Sequence, residues 1–161
     1  MTLRQTLLAA ALSLACGASP GVTLRVANQG DSNSMDPHSL NESLQLSFTG
    51  NVYEPLVGRD KKLGLTPALA TGWKQTSPTV WRFELRKGVK FHDGKPFTAD
   101  DVLFSFARAA GDGSDMKSYT NDFKEVRKAG DFAVEIETKA PFPILPDLLA
   151  LVERKGLKVL A

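Results

Sequence analysis

From Val80 to Arg86 apolar and charged residues alternate without a break, Trp81, Phe83 and Leu85 against Arg82, Glu84 and Arg86, as in a strand with one buried and one wet face. After a Lys87-Gly88 turn the alternation resumes with Val89 and Phe91 against Lys90 and His92. The pattern predicts a hairpin carrying Trp81, Phe83, Leu85, Val89 and Phe91 on one apolar surface. A second turn at Asp93-Gly94 leads through Pro96 and Phe97 to Thr98-Ala99-Asp100-Asp101. There the Thr98 hydroxyl is placed to accept the Asp101 amide proton, and two carboxylates favour the positive end of a helix. That helix is expected to run to about Ala110 and to lay Val102, Leu103, Phe106 and Ala110 against the hairpin.

The flanking pattern extends this to a mixed α/β chain. Leu24 to Asn28 reads as a first strand, broken by the polar run Gly30-Asp31-Ser32-Asn33-Ser34. Asp36-Pro37 makes a turn, and a helix capped near Asn41 carries Leu44, Phe48 and Val52 at i, i+4 spacing before Pro55 limits it. Leu56-Val57 and Leu63 to Thr66 flank Arg59-Asp60-Lys61-Lys62 as a second hairpin. Pro67 to Gly72 is expected to form a short helical turn, with Gly72 in the terminating place. After the loop Gly111-Asp112-Gly113-Ser114-Asp115 and an irregular Tyr119 to Asp122, a third hairpin pairs Phe123 to Val126 with Phe132 to Ile136 around Ala129-Gly130-Asp131. Pro146 then starts a last helix with Leu148, Leu149 and Val152. No repeat, low-complexity tract or linker divides the chain into independent domains.

The first residues read differently. Arg4 followed by the apolar run Leu7 to Ala15 and small residues resembles a secretory leader ending at about Ala18, and the run is too short to span a bilayer. An exported protein is the expectation. Leu12-Ser13-Leu14-Ala15-Cys16 offers a second route, a loose lipoprotein box in which Cys16 would be lipidated, although Ser13 fits that box poorly. Either way the only cysteine lies in the leader region, so no internal disulfide is expected.

Composition excludes some functions. With 42% hydrophobic and 24% charged residues the chain is globular in character. Taking Arg4 from the 20 basic residues, against 18 acidic ones, leaves a formal charge near +1. The basic groups Arg59/Lys61/Lys62 and Arg127/Lys128 are short and mixed with acids, so nothing recruits nucleic acid. Catalytic candidates are equally thin. His92-Asp93 would be half of a metal or phosphohydrolase site, but Gly94 after it makes the pair a better hairpin turn, and His38 has no partner at ligand-like spacing. Gly111 to Asp115 matches neither a nucleophile elbow nor a phosphate loop nor a calcium loop. Trp81, alternating with charged residues, reads as core. No enzyme, metal or cofactor is expected.

A family pattern accounts for most of these residues together. Pro67-Ala68-Leu69-Ala70, Trp73 and the run Trp81-Arg82-Phe83-Glu84-Leu85-Arg86-Lys87-Gly88-Val89-Lys90-Phe91-His92-Asp93-Gly94-Lys95-Pro96-Phe97-Thr98-Ala99-Asp100-Asp101-Val102 closely resemble the signature of the family 5 extracellular solute-binding proteins. Asp36-Pro37-His38, Tyr53-Glu54-Pro55-Leu56-Val57 and Pro141-Phe142-Pro143 extend the similarity. The resemblance implies the N-terminal part of a type II periplasmic binding fold, whose two lobes close on a peptide or other small solute before docking on the permease complex of an inner-membrane ABC importer. It divides the chain into a leader (1–18), a first strand and helix of the N-terminal lobe (19–53), an accessory subdomain (54–152) and a tail (153–161) that departs from the family. It also implies that backbone groups just after the Asp-Pro turn, at Asn41, Glu42 and Ser43, lie along an extended peptide, and that Tyr119 approaches the ligand. A structural role stays open for each of these, Asn41 as a helix cap and Tyr119 as packing.

Family members are several-fold longer than 161 residues. The expectation is therefore a truncated or frameshifted reading frame that departs near Leu151, with a dedicated short form as the alternative. A non-transport exported interaction or sensor module, built from the subdomain alone, is the competing functional class.

Overall fold

The computed structural model describes residues 23, 25, 27–40 and 42–151. The expected leader with Cys16, Leu24 and Val26 of the expected first strand, Asn41, Val152 and residues 153–161 lie outside the described residues. In chain order come α1 (Ser43–Thr49), β1 (Val57–Arg59), β2 (Leu65–Pro67), β3 (Ala70–Ser77), β4 (Val80–Leu85), α2 (Ala99–Ala110), a 3-10 turn (Lys117–Thr120), β5 (Phe123–Lys128), β6 (Ala133–Thr138) and α3 (Leu145–Leu151).

Two hairpins, β3-β4 and β5-β6, meet along β4 and β6 in an antiparallel sheet of order β3-β4-β6-β5. The period-two pattern fixes which side is dry. Phe83 stands opposite Val134, and Trp81 opposite Ile136. Phe83, Val134 and Ile136 are fully buried and share one cluster with Val102, Phe106 and Ala109 of α2 and with Phe97, Met116 and Leu145. On the other face Lys74, Arg82, Glu135 and Arg127 line up across the four strands. Arg127 pairs with Glu135 at 2.8 Å and Glu137 at 2.9 Å, and Arg82 with Glu84 at 2.7 Å. Such solvated pairs add little stability each, but they keep that face wet.

The β1-β2 hairpin, the β5-β6 hairpin with Gly130 at φ 139°, and the span of α2 all form as the sequence pattern predicts. At the start of α2 the Asp101 carboxylate reaches back to accept the Thr98 amide at 2.7 Å and the Thr98 hydroxyl at 3.2 Å. The last helix begins at Leu145, one residue before Pro146.

Five expectations are corrected. Val80–Leu85 does not pair with Val89–His92. Its neighbours are β3 and β6, because residues 89–97 close on themselves around Asp93-Gly94 through Phe91 N–H to Lys95 O, Gly94 N–H to Phe91 O and Phe97 N–H to Val89 O. Only a single bridge, Lys90 to Pro96, is strand-like there. Residues 67–72 are not a helical turn either. Leu69 and Ala70 donate to the carbonyls of Pro55 and Leu56, and Arg86 donates to that of Leu69, so pairing on both sides makes this stretch the end of β2, a bend at Ala68-Leu69 and the start of β3, and overrides the local preference. Consequently α2 packs on the β5-β6 side, with the Phe106 and Phe123 rings 5.7 Å apart, rather than on an 80–92 hairpin. In α1 the cap is Glu42, and the buried face is Gln45, Leu46 and Thr49; Leu44 and Phe48 are half-buried and Val52 is exposed. Finally, Tyr119 lies in the 3-10 turn and not in an irregular stretch.

Candidate functional site

The segment that leads into α1 is organised by a turn. Pro37 fixes the backbone at its centre, and the Asp36 carboxylate accepts the His38 amide at 2.9 Å. From the last turn of α2, Arg108 forks onto this turn: Nη1 donates to Asp36 Oδ1 at 2.7 Å, Nη2 to Asp36 Oδ2, and Nη1 also to His38 Nδ1 at 3.0 Å. A guanidinium has donors only, so in this contact the His38 Nδ1 is the acceptor. The Arg108 hydrogen bond holds the Asp36 carboxyl down at about 2, against the opposing effect of burial. Arg108 is correspondingly raised by Asp36.

Further bonds tie the same turn to its surroundings. Buried Gln45 of α1 donates to the Asp36 carbonyl at 3.0 Å and to Ser39 Oγ at 3.1 Å. The Asp115 amide donates to the His38 carbonyl at 3.0 Å, joining the turn to the loop between α2 and the 3-10 turn.

The residues that the family pattern singles out fall on these two segments. Glu42 caps α1, its carboxylate accepting the amides of Leu44 and Gln45, both at 3.1 Å. Ser43 is exposed, with its carbonyl accepting Ser47 Oγ at 2.8 Å. Tyr119 is half-buried against the core cluster, three residues after fully buried Met116, whose carbonyl accepts its amide. Asn41 lies outside the described residues. Sequence reading missed Arg108, Gln45 and the burial of His38. A polar helix residue opposite the core stripe carries no local sign of a partner seventy positions away.

A separate cleft of about 470 Å³ opens between the residues after α1 and the 89–97 loop, with Val52, Tyr53, Val89, Phe91 and Phe97 in its wall. His92 is exposed on its rim, beside Asp93, which pairs with Lys95 at 2.7 Å. Among the described residues no group of three or more His, Cys, Asp or Glu side chains could hold a metal ion.

Comparison with known proteins gives the family. Residues 64–157 match the model of the bacterial extracellular solute-binding proteins, family 5 Middle, and the chain belongs to that family. Over 154 residues it is 33% identical to the glutathione-binding protein GsiB of Pectobacterium atrosepticum, covering 91% of this chain and 30% of that protein. The periplasmic oligopeptide-binding protein OppA of Escherichia coli is 33% identical over 109 residues, 64% of this chain and 20% of that one. The structure of OppA from Burkholderia pseudomallei superposes on 80% of the chain with a TM-score of 0.74 at 23% identity, using 28% of its own length. The mixed α/β fold is thus the one these binding proteins carry over this part of their chain. The chain spans less than a third of the length of the relatives it matches.

Proposed function

We propose that this chain forms part of the N-terminal lobe of the solute-binding component of an ABC importer, which captures peptides or a similar small solute in the periplasm and hands it to an inner-membrane permease. The observation that carries the reading is the Asp36-Pro37-His38 turn, pinned by Arg108 and followed by an exposed segment at the start of α1, where the family presents backbone groups to its ligand. Family membership and the names of relatives that bind glutathione and oligopeptides support it. In this reading 1–18 is an export leader, with or without lipidation at Cys16, 19–53 belongs to the hinged lobe and 54–152 is its accessory subdomain. The role is binding without catalysis. Asn41, Glu42 and Ser43 lie along the solute through their backbone, and Tyr119 approaches it.

Calorimetric titration with glutathione and with di- to pentapeptides tests the proposal. One lobe's edge offers a few backbone hydrogen bonds of about 1 kcal/mol net each, against about 4 kcal/mol or more for immobilising the ligand. Binding no tighter than millimolar is the expected result for this chain alone. Failure of every peptide to bind at any attainable concentration would count against the proposal, and micromolar binding would show that the site needs no second lobe.

A further inference from the structure

We infer that Arg108 is the positioning residue of the solute-facing site: its guanidinium fixes the Asp36-Pro37-His38 turn, which leads into α1 and is bonded in turn, through the His38 carbonyl, to the segment 115–119, and these are the two places on which the solute contacts are put. This rests on the functional reading above and goes beyond it in naming what sets the geometry.

Arg108 sits on the exposed side of α2 with Phe104 and Ala107, away from the buried Val102, Phe106 and Ala109. Its side chain therefore contributes to no core cluster. Instead it makes three bonds to one turn, two to Asp36 and one to His38 Nδ1. A planar fork that satisfies both carboxylate oxygens and an imidazole nitrogen fixes orientation as well as distance. Through the His38 carbonyl the turn is bonded to Asp115, on the loop leading to Tyr119, and through its Asp36 carbonyl to Gln45 of α1. Between these anchors Ser39, Glu42 and Ser43 are exposed. The placement of such a short segment is set by its pinned ends. Arg108 and Asp36 are 39% and 32% exposed, so the pair adds modestly to global stability while governing local geometry.

The test uses the full 161-residue chain. Wild type, Arg108→Lys, Arg108→Ala and the control Lys128→Ala, which breaks an exposed ion pair with Asp100 at the other end of α2, are followed by amide NMR during titration with glutathione and trialanine. Thermal midpoints are recorded alongside. Lysine keeps the charge opposite Asp36 but cannot fork, so Arg108→Lys should hold the thermal midpoint near wild type while weakening tripeptide binding about tenfold. Arg108→Ala should weaken it at least as much, and Lys128→Ala should leave it unchanged. Equal affinity in wild type and both Arg108 variants overturns the inference and leaves the solute reading standing. A wild type with no shifts at 39–45 or 115–119 overturns the solute reading, and the inference with it. An affinity loss in Arg108→Lys that merely tracks a fall in thermal midpoint shows a structural role and overturns the inference alone.

Discussion

Arg108 Nη1 lies 2.7 Å from the carboxylate of Asp36 and 3.0 Å from the imidazole of His38, so one guanidinium grips the chain on both sides of Pro37. Seventy-two positions of sequence separate Arg108 from Asp36.

This pair makes stability depend on acid. The folded-state pKa of Asp36, about 2, lies below its ordinary value of 3.8. A depressed carboxylate contributes stability that is present above the unfolded pKa and is lost as pH falls from 3.8 towards 2. After discounting for exposure, roughly 1 kcal/mol is at stake. Asp36→Asn should forfeit it at neutral pH and then lose less than wild type on acidification. Urea unfolding at pH 7 and pH 2.5 reads the difference, and identical acid sensitivity in the two proteins would refute it.

The dry face of the sheet should dominate the energetics of the core. Phe83 is fully buried and Phe83→Ala should cost about 3 to 5 kcal/mol through the cavity it leaves. Trp81 is half-buried, with its indole donating to the Phe142 carbonyl at 3.1 Å, and its alanine variant should cost less than that of Phe83. Arg82→Ala and Glu84→Ala, on the wet face, should each stay below about 1 kcal/mol. Comparable losses at Phe83 and Glu84 in chemical denaturation would contradict the register.

The start of α2 depends on one carboxylate. Asp101→Ala removes the acceptor for both the amide and the hydroxyl of Thr98 and should cost about 1 kcal/mol. Asp100→Ala, whose exposed side chain only pairs with Lys128, should cost visibly less in the same thermal melts.

Two glycines discriminate between turn and strand. Gly94 has φ 88° and nothing near the position of an added Cβ, so Gly94→Ala should cost about 1 kcal/mol by backbone strain alone. Gly72 also has open space but lies in β3 without a positive φ, and Gly72→Ala should be close to neutral. A helix-terminating glycine would instead resist the change, so the pair of unfolding curves tests the strand assignment of residues 70–77 directly.

Features whose cause lies within a few residues were legible in the sequence. The Asp93-Gly94 turn, the 123–138 hairpin and the Thr98 helix start each announce themselves by a turn residue or a cap beside a periodic run. Val80–Leu85 was read correctly as a strand with Trp81, Phe83 and Leu85 inward, yet its partners were not, because alternation states which face is dry and says nothing about which strand lies alongside. Residues 67–72 went wrong for a related reason: a short proline-to-glycine stretch looks helical until bonds to the Pro55 and Leu56 carbonyls and from the Arg86 amide claim its backbone. In the candidate site, Glu42 and Ser43 were placed by family pattern, whereas Arg108 and Gln45 act through contacts with no local trace.

The seam between β4 and β6 also orders events in time. Each hairpin closes over a short stretch and forms on a microsecond scale, but bringing Phe83 against Val134 requires closing the intervening residues 86–132. During synthesis the β3-β4 hairpin is complete long before β6 has been made, and for that interval β4 has an open edge and Phe83 has no lid. Docking of the two hairpins has to wait for β6, and until then the open edge of β4 is available to any other strand.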